Sequence, residues 1–256
     1  MTETTIGLLH PGEMGAAVGQ CLVSAGHTVL WVPEGRGAAT RKRAAEAGLD
    51  ECGWAEMSAR SDVIVSVCPP AAALEVARAV AATGFGGLYL DANAIAPATA
   101  GEVAAIVTAG RASYVDGGIV GPPPLAPGNT RLYLSGSCAA EVQALFGGTN
   151  VDARVVPPPG TASAVKMAYA SWTKGSAALL LAARALARAE GVESVLLEEW
   201  GLSQPGLEKR WEGAAGSAAA KGWRWVAEME EIAATMAAAG LPEGFHQAAA
   251  EIYRGF

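Results

Sequence analysis

The stretch Thr4-Thr5-Ile6-Gly7-Leu8-Leu9-His10-Pro11-Gly12-Glu13-Met14-Gly15 predicts the fold of the first half of the chain. Its apolar run is typical of a buried strand, and an Ala-rich helix follows the Pro-Gly turn. In a G-x-G-x-x-G turn the first glycine makes the bend, the second lets a pyrophosphate approach, and the third lets helix pack on strand. Gly12 and Gly15 fill the last two positions and His10 the first. Residues 10–15 therefore predict a dinucleotide site, with a plain strand-to-helix turn as the alternative.

Beyond this turn, short apolar strands alternate with helices as far as residue 156. That alternation predicts an α/β fold, a Rossmann-like doubly wound parallel sheet. Pro157-Pro158-Pro159-Gly160 ends the pattern, and the remainder is typical of helices only. We expect one long helix over 161–190 and further helices near 194–200, 206–212, 222–239 and 243–254. The predicted domains are a dinucleotide-binding domain at 1–158 and an all-α domain, built on the long helix, at 159–256.

Composition excludes several classes of protein. With 51% hydrophobic and 17% charged residues, the 256-residue chain is not disordered, and a net charge of −7 argues against a nucleic-acid partner. The four scattered cysteines fit neither a disulfide framework nor a zinc site, and because the sequence has no cluster of metal-ligating residues we predict no metal. The chain opens without the basic segment of a signal peptide, and no uncharged apolar run reaches 18 residues. We expect a cytoplasmic protein that does not bind membranes.

Side chains in the segment after the second strand should determine whether NAD or NADP binds. An acidic side chain there selects NAD through the ribose hydroxyl, whereas a nearby arginine accommodates the 2′-phosphate of NADP. Glu34 is the candidate acid, and Arg36, Thr40 and Arg41 are candidate phosphate ligands. Because an arginine fork suits phosphate, NADP is favoured and NAD stays open.

The glycine turn, together with Gly26-His27-x-Val29, resembles the start of the β-hydroxyacid dehydrogenase superfamily, which includes 6-phosphogluconate and 3-hydroxyisobutyrate dehydrogenases and, more distantly, imine reductases. Four further segments agree in order: Ser66-Val67-Cys68-Pro69-Pro70, Asp91-Ala92-Asn93-Ala94-Ile95-Ala96-Pro97, Asp116-Gly117-Gly118-Ile119-Val120-Gly121 and Gly160-Thr161-Ala162-Ser163-Ala164-Val165-Lys166-Met167. The second domain resembles a little-characterised phosphogluconate-dehydrogenase-like subgroup. The resemblance implies hydride transfer between a nicotinamide and a carbonyl, alcohol or imine carbon.

The resemblance also implies roles for individual residues. Cys68, Pro69 and Pro70 match the family's loop over the nicotinamide ribose, and Asn93 belongs to its catalytic and cofactor-binding residues. Gly118, Ile119, Val120 and Gly121 match the substrate loop. Lys166 matches the general acid/base, and a desolvated ammonium can supply the proton that a carbonyl needs as hydride arrives.

Two departures from the family pattern concern the substrate. Ala170 stands where the family has asparagine and Val120 where it has serine, so we expect a pocket more apolar than a sugar-acid site. Helical spacing puts Tyr169 and Thr173 on the face of Lys166, where they could take over hydrogen bonding. His246, in the last helix, could line the pocket.

The leading hypothesis is an NAD(P)-dependent oxidoreductase acting on a small, rather apolar carbonyl or hydroxy compound, with Lys166 as acid/base. The alternatives are an imine or enamine reductase and a protein that binds or senses NADP without turnover. The middle of the long helix, 176–183, is apolar on every face and must be buried. Since family members pair through this helix, we expect a homodimer through residues 161–190.

Overall fold

Eight strands form one sheet in the order β3-β2-β1-β4-β5-β6-β7-β8 in the computed structural model, which describes residues 3–256. The strands are β1 (Thr5–Leu9), β2 (Thr28–Trp31), β3 (Asp50–Glu51), β4 (Val63–Ser66), β5 (Leu88–Asp91), β6 (Ser113–Val120), β7 (Thr130–Ser135) and β8 (Val151–Val155). All neighbouring pairs are parallel except β6 and β7. This is the predicted mostly parallel, Rossmann-like sheet.

Helices connect most of the strands, and the central strands of the sheet, such as β4 and β5, are buried on both faces. The helices are α1 (Glu13–Ser24), α2 (Ala38–Glu46), α3 (Trp54–Arg60), α4 (Ala73–Ala82), α5 (Pro97–Ala109) and α6 (Ala139–Leu145). Alternate strand residues belong to different apolar clusters, with Leu8 and Val65 in one and Leu9 and Ile64 in the other. Burial on both faces explains the continuous apolar runs that made these strands predictable.

One row of paired residues crosses five strands at the carboxyl edge of β1, β4 and β5. Leu9 pairs with Ser66, Ser66 with Asp91, Asp91 with Asp116, and Asp116 with Ser135. From β1 the chain continues to β2 on one side of the sheet, and from β4 to β5 on the other, so the strand order reverses between β1 and β4. In open parallel sheets, ligands bind at such a switch point, beyond the carboxyl ends of the strands.

The chain divides into two compact units, one ending at Lys166 and the other spanning Met167–Phe256. The second consists of helices: α7 (Thr161–Ala189), whose first six residues belong to the first unit, α8 (Glu193–Ser203), α9 (Leu207–Ala238) and α10 (Gly244–Arg254). The division falls inside α7, whereas the sequence pattern places the boundary before that helix.

The expectation of two helices near 206–212 and 222–239 was wrong, because α9 is one helix of 32 residues. Glycines suggested a break, but Gly222 lies inside the helix, where a Cβ would come 3.3 Å from the Cβ of Phe256. It serves close packing rather than a turn. The two-residue β3 and the short α3 escaped prediction because they are too brief to show a periodicity. No helix within residues 3–256 is long and apolar enough to span a membrane.

Candidate active site

The turn between β1 and α1 has the conformation that a dinucleotide-binding turn requires. His10, in the place of the first glycine, adopts the left-handed conformation with φ of 63°, which histidine tolerates better than most residues. A Cβ on Gly15 would lie 2.4 Å from the His10 carbonyl oxygen. Only glycine therefore lets α1 approach the turn. Pro11 is buried, and Met14 packs against the core.

Gly12 leaves room for a ligand at the start of α1. It is the N-cap residue, contributes no side-chain cap, and a Cβ added to it would meet no atom within 4 Å. The first N–H groups of a helix lack partners within it and favour an anion. The turn therefore fits the pyrophosphate of a dinucleotide. Glu13 lies at the rim of a separate hollow between α1, α2 and Leu125.

His10 is paired with Arg36, which lies in the segment between β2 and α2. The Arg36 Nη2 lies 2.6 Å from His10 Nε2, and both side chains are partly buried. Burial of the imidazole, and secondarily the Arg36 guanidinium, lower the pKa of His10 to about 4. The neutral imidazole therefore accepts a hydrogen bond from the guanidinium. The structure thus brings together two residues that the sequence assigned to the cofactor separately.

Two of the other residues proposed for cofactor choice, Glu34 and Arg41, line an open hollow of about 420 Å³ beyond β2 and β3. Glu34 lies exposed on its lining. Arg41 also lines it, forms an ion pair with Glu51 at 3.3 Å and donates to the Pro33 carbonyl at 3.2 Å. Thr40 accepts a hydrogen bond from Arg43. Glu51 was missed by the sequence reasoning, since it belongs to the unpredicted β3.

Asn93 is buried and holds the loop that follows β4. Its Oδ1 accepts a hydrogen bond from the Cys68 backbone N–H at 2.6 Å, and its Nδ2 donates to Ser66 Oγ at 3.1 Å. Its own backbone N–H donates to Asp91 Oδ1 at 2.9 Å. These bonds favour positioning of Cys68, Pro69 and Pro70 over direct contact with substrate. Burial raises the pKa of the Cys68 thiol to about 12, so it is no nucleophile at neutral pH.

Lys166 lies against the end of β6. A Cβ added to Gly118 would come 3.0 Å from the Lys166 Cβ and 2.6 Å from the Ala162 carbonyl oxygen. Gly118, one of the four residues predicted to form a substrate loop, therefore adjoins Lys166. Ile119 and Val120 are buried strand residues, with Ile119 in the core, and Gly121 makes the turn that follows, with φ of 114°.

The start of α7 is fixed by buried polar groups on β6 and β7. The Asp116 carboxylate accepts hydrogen bonds from the backbone N–H and the hydroxyl of Ser163, and from Ser135 Oγ. Ser135 Oγ in turn accepts from the backbone N–H groups of Gly160 and Ala162. Ser66 and Ser163 belong to segments that carry the family resemblance, but no role was predicted for them or for Ser135. A usable signal was present for Ser66, which ends the otherwise apolar strand β4.

The remaining predicted site residues belong to the second unit. Tyr169 is exposed, and Thr173 donates a hydrogen bond to its carbonyl oxygen at 3.2 Å. His246 is buried and packs against Gly175, and its Nε2 lies 3.5 Å from the Ser171 carbonyl oxygen. This position favours a packing role for His246 over contact with substrate. Within residues 3–256, no group of three or more His, Cys, Asp or Glu side chains could hold a metal ion.

Comparison with known proteins places this geometry in context. The model of a domain of unknown function, DUF1932, matches residues 187–256. Over 98% of this chain and 96% of its own, the conserved protein MTH1747, of unknown function and structurally similar to 3-hydroxyacid dehydrogenases, is 26% identical with a TM-score of 0.69. No curated protein matches the chain.

Two solved enzymes share the fold. The 3-hydroxyisobutyrate dehydrogenase of Salmonella typhimurium is 18% identical over 99% of this chain and 94% of its own, with a TM-score of 0.76. The reductive aminase of Aspergillus terreus, in complex with NADPH and ethyl levulinate, is 24% identical over 99% and 93%, with a TM-score of 0.62. The resemblance inferred from the motifs is confirmed at the level of the fold: the chain is similar to MTH1747, which itself resembles 3-hydroxyacid dehydrogenases, and it shares its fold with a 3-hydroxyisobutyrate dehydrogenase and a reductive aminase.

Proposed function

We propose that this β-hydroxyacid dehydrogenase-like protein is an NADP(H)-dependent oxidoreductase that interconverts a small, rather apolar carbonyl compound and its alcohol. The row from Leu9 to Ser135 carries the proposal. The glycine turn, the Cys68 loop and Asn93 follow this row after neighbouring strands. Gly118 lies beyond the row on β6, and Lys166 of α7 packs against Gly118. One edge of the sheet thus carries both a dinucleotide turn and a lysine.

The chain's own residues have distinct roles in this proposal. The turn at 10–15 binds the pyrophosphate through backbone N–H groups at the start of α1. The loop at Cys68–Pro70, held by Asn93, supports the nicotinamide ribose. Lys166 gives a proton to the carbonyl oxygen during reduction and removes it from the hydroxyl during oxidation. A bound nicotinamide supplies or accepts the hydride.

The preference for NADP rests on the arginines near the end of β2. Arg36 lies in the segment after β2, which faces the adenosine ribose in dinucleotide folds. Thr40 and Arg41 lie near the start of α2, which follows that segment. Glu34 keeps an NAD-binding alternative open, because a carboxylate could accept from the ribose hydroxyls. The reductive aminase with the same fold was solved with NADPH.

Two assays test the proposal. Oxidation of NADPH or NADH is followed with ketones and with cyclic imines, and reduction of NADP or NAD is followed with hydroxyacids. We expect turnover of apolar ketones with NADPH and weaker turnover of polyhydroxylated acids. Cofactor binding without turnover of any compound would favour the non-catalytic alternative. Failure to bind either cofactor would overturn the proposal.

A second candidate function is reduction of an imine or enamine on the same fold. Ala170 and Val120 replace the polar side chains with which the family holds a hydroxyacid, so the chain lacks two groups specific for that substrate. Faster reduction of cyclic imines than of matched ketones would favour this candidate.

We also propose that the functional form is a homodimer paired through α7. Trp172, Leu179 and Leu186 are spaced by seven residues and are 69%, 56% and 63% exposed. A seven-residue spacing of apolar residues forms a seam along one side of a helix, which a partner helix can cover. These residues lie within the predicted pairing helix.

A further inference from the structure

The contact between His10 and Arg36 joins the glycine turn to the segment that follows β2. We propose that His10 is a positioning residue that orients Arg36 for the 2′-phosphate of NADP(H), and so sets the preference for NADP over NAD. This inference rests on the proposed function. It goes beyond that function by assigning part of the specificity to a residue in the turn itself.

The direction of the hydrogen bond follows from the chemistry of the two groups. A guanidinium has only N–H donors, so His10 Nε2 must accept, and the imidazole must carry its proton on Nδ1. A protonated imidazole would place two cations together and would lose this acceptor. The partly buried, neutral His10 can therefore act as a steady acceptor for Arg36.

The main chain of His10 is held firmly enough to serve as a support. The Gly12 backbone N–H donates to its carbonyl oxygen at 2.7 Å, and Gly15 packs directly on that carbonyl. Arg36, in contrast, lies between β2 and α2, outside both elements. A bond to a fixed acceptor limits the rotamers of a long side chain before ligand binds, which lowers the entropy lost on binding.

The contact with His10 leaves most of the N–H donors of Arg36 available to a ligand. The bond to His10 uses one of the five N–H donors of the guanidinium, and the others can meet phosphate oxygens. A glycine in place of His10 would make the same bend without offering an acceptor. The inference therefore explains why His10 replaces the first glycine of the G-x-G-x-x-G pattern: its side chain supplies a hydrogen-bond acceptor that glycine lacks.

A double-mutant cycle on cofactor binding tests the inference. Titration of the full-length protein with NADPH and with NADH gives dissociation constants for wild type, His10→Gly, Arg36→Ala and the double variant. Glycine adopts the left-handed conformation freely, so His10→Gly should keep the turn. We expect His10→Gly to weaken NADPH binding about 3- to 10-fold, the range for one hydrogen bond, and to change NADH binding less than about twofold.

In the Arg36→Ala background, His10→Gly should have no further effect on NADPH. Equal weakening of both cofactors would mean that His10 supports the turn rather than the arginine, and would overturn the inference. Additive effects of the two substitutions, or unchanged NADPH binding in His10→Gly, would overturn it as well. In these cases the wild type still binds NADPH, and the proposed function stands. A wild type that binds neither cofactor would overturn both.

Discussion

The Asp116 carboxylate accepts hydrogen bonds from both the backbone N–H and the hydroxyl of Ser163, three residues before Lys166. A buried anion at the start of α7 satisfies N–H groups that have no partner within the helix and interacts favourably with the helix dipole. The position of Lys166 against Gly118 thus depends on a group two residues earlier on β6.

Replacement of Asp116 by Asn should lower both stability and turnover. An amide offers one acceptor oxygen in place of two and carries no negative charge opposite the Ser163 N–H and hydroxyl, which both donate to the carboxylate. We expect the free energy of unfolding to fall by about 1.5–3 kcal/mol, the range for charged hydrogen bonds. Turnover per folded molecule should fall while NADPH affinity holds. Asp152→Asn, at an exposed carboxylate paired with Arg154, is the matched control; superimposable urea curves for the two variants would contradict the expectation.

Removal of the proposed acid/base separates chemistry from binding. Lys166→Ala should lower turnover about 10²- to 10⁴-fold, the usual contribution of a positioned proton donor. Cofactor affinity should hold, because the pyrophosphate binds at the glycine turn. Lys209→Ala, which removes an exposed lysine from α9, controls for the loss of one charge. Steady-state kinetics within threefold of wild type would remove Lys166 from the mechanism and favour Tyr169.

The two glycines of the turn should respond differently to the same added methyl group. Gly15→Ala places Cβ against the His10 carbonyl, and we expect a loss of at least about 2–3 kcal/mol in stability. Gly12→Ala meets no protein atom and should cost less than about 1 kcal/mol, yet weaken NADPH more than tenfold. Urea unfolding and cofactor titration give both quantities. Tight NADPH binding by Gly12→Ala would show that no ligand approaches this backbone.

The lowered pKa of His10 makes stability depend on pH. Because the folded protein holds this pKa near 4, below the ordinary value of 6.5, the unfolded chain binds more protons between these values. The contribution of His10 to stability is therefore complete above pH 6.5 and declines as pH falls toward 4. His10→Asn tolerates the left-handed backbone but does not titrate. We expect its urea midpoint to fall less than that of wild type between pH 7.5 and pH 5; equal falls would mean that His10 ionises normally.

The proposed dimer can be tested at the exposed seam of α7. Leu179→Glu and Leu186→Glu place charges where we propose a partner chain packs. We expect sedimentation to give a mass near twice 25.9 kDa for wild type at micromolar concentration and to shift toward the monomer in these variants. Leu125→Glu, at a leucine of similar exposure in the first unit, should leave the mass unchanged. A monomeric wild type would refute pairing through this helix.

The predictable part of the fold is the part with a repeating pattern. Strands such as β4 and β5 are apolar on both faces, and α5 begins at Pro97 as its proline predicts. The glycine turn could be located because its spacing reflects backbone sterics. The unbroken α9 could not be predicted, since its glycines resemble those of turns until their packing partners are known.

The chemistry of the site was only partly predictable. Lys166 and Asn93 stood out by resemblance, but their neighbours depend on which strands pair. Asp116 and Ser135 are 19 residues apart and meet because β6 and β7 pair in that register. The contact between His10 and Arg36 likewise spans 26 residues. Such polar contacts leave no periodic trace in the sequence.

The attachment of α7 to the sheet limits how this chain can be recombined with others. A chimera joined at the proline-rich segment 157–160 would combine a foreign helix with Asp116 and Ser135, whose bonds are made to residues 160–163. The foreign helix would also have to pack against Gly118 as closely as Ala162 does. A junction after Lys166 keeps those residues with their own strands. The better junction for a chimera therefore lies within α7, after Lys166, although the prolines at 157–159 suggest a domain boundary before that helix.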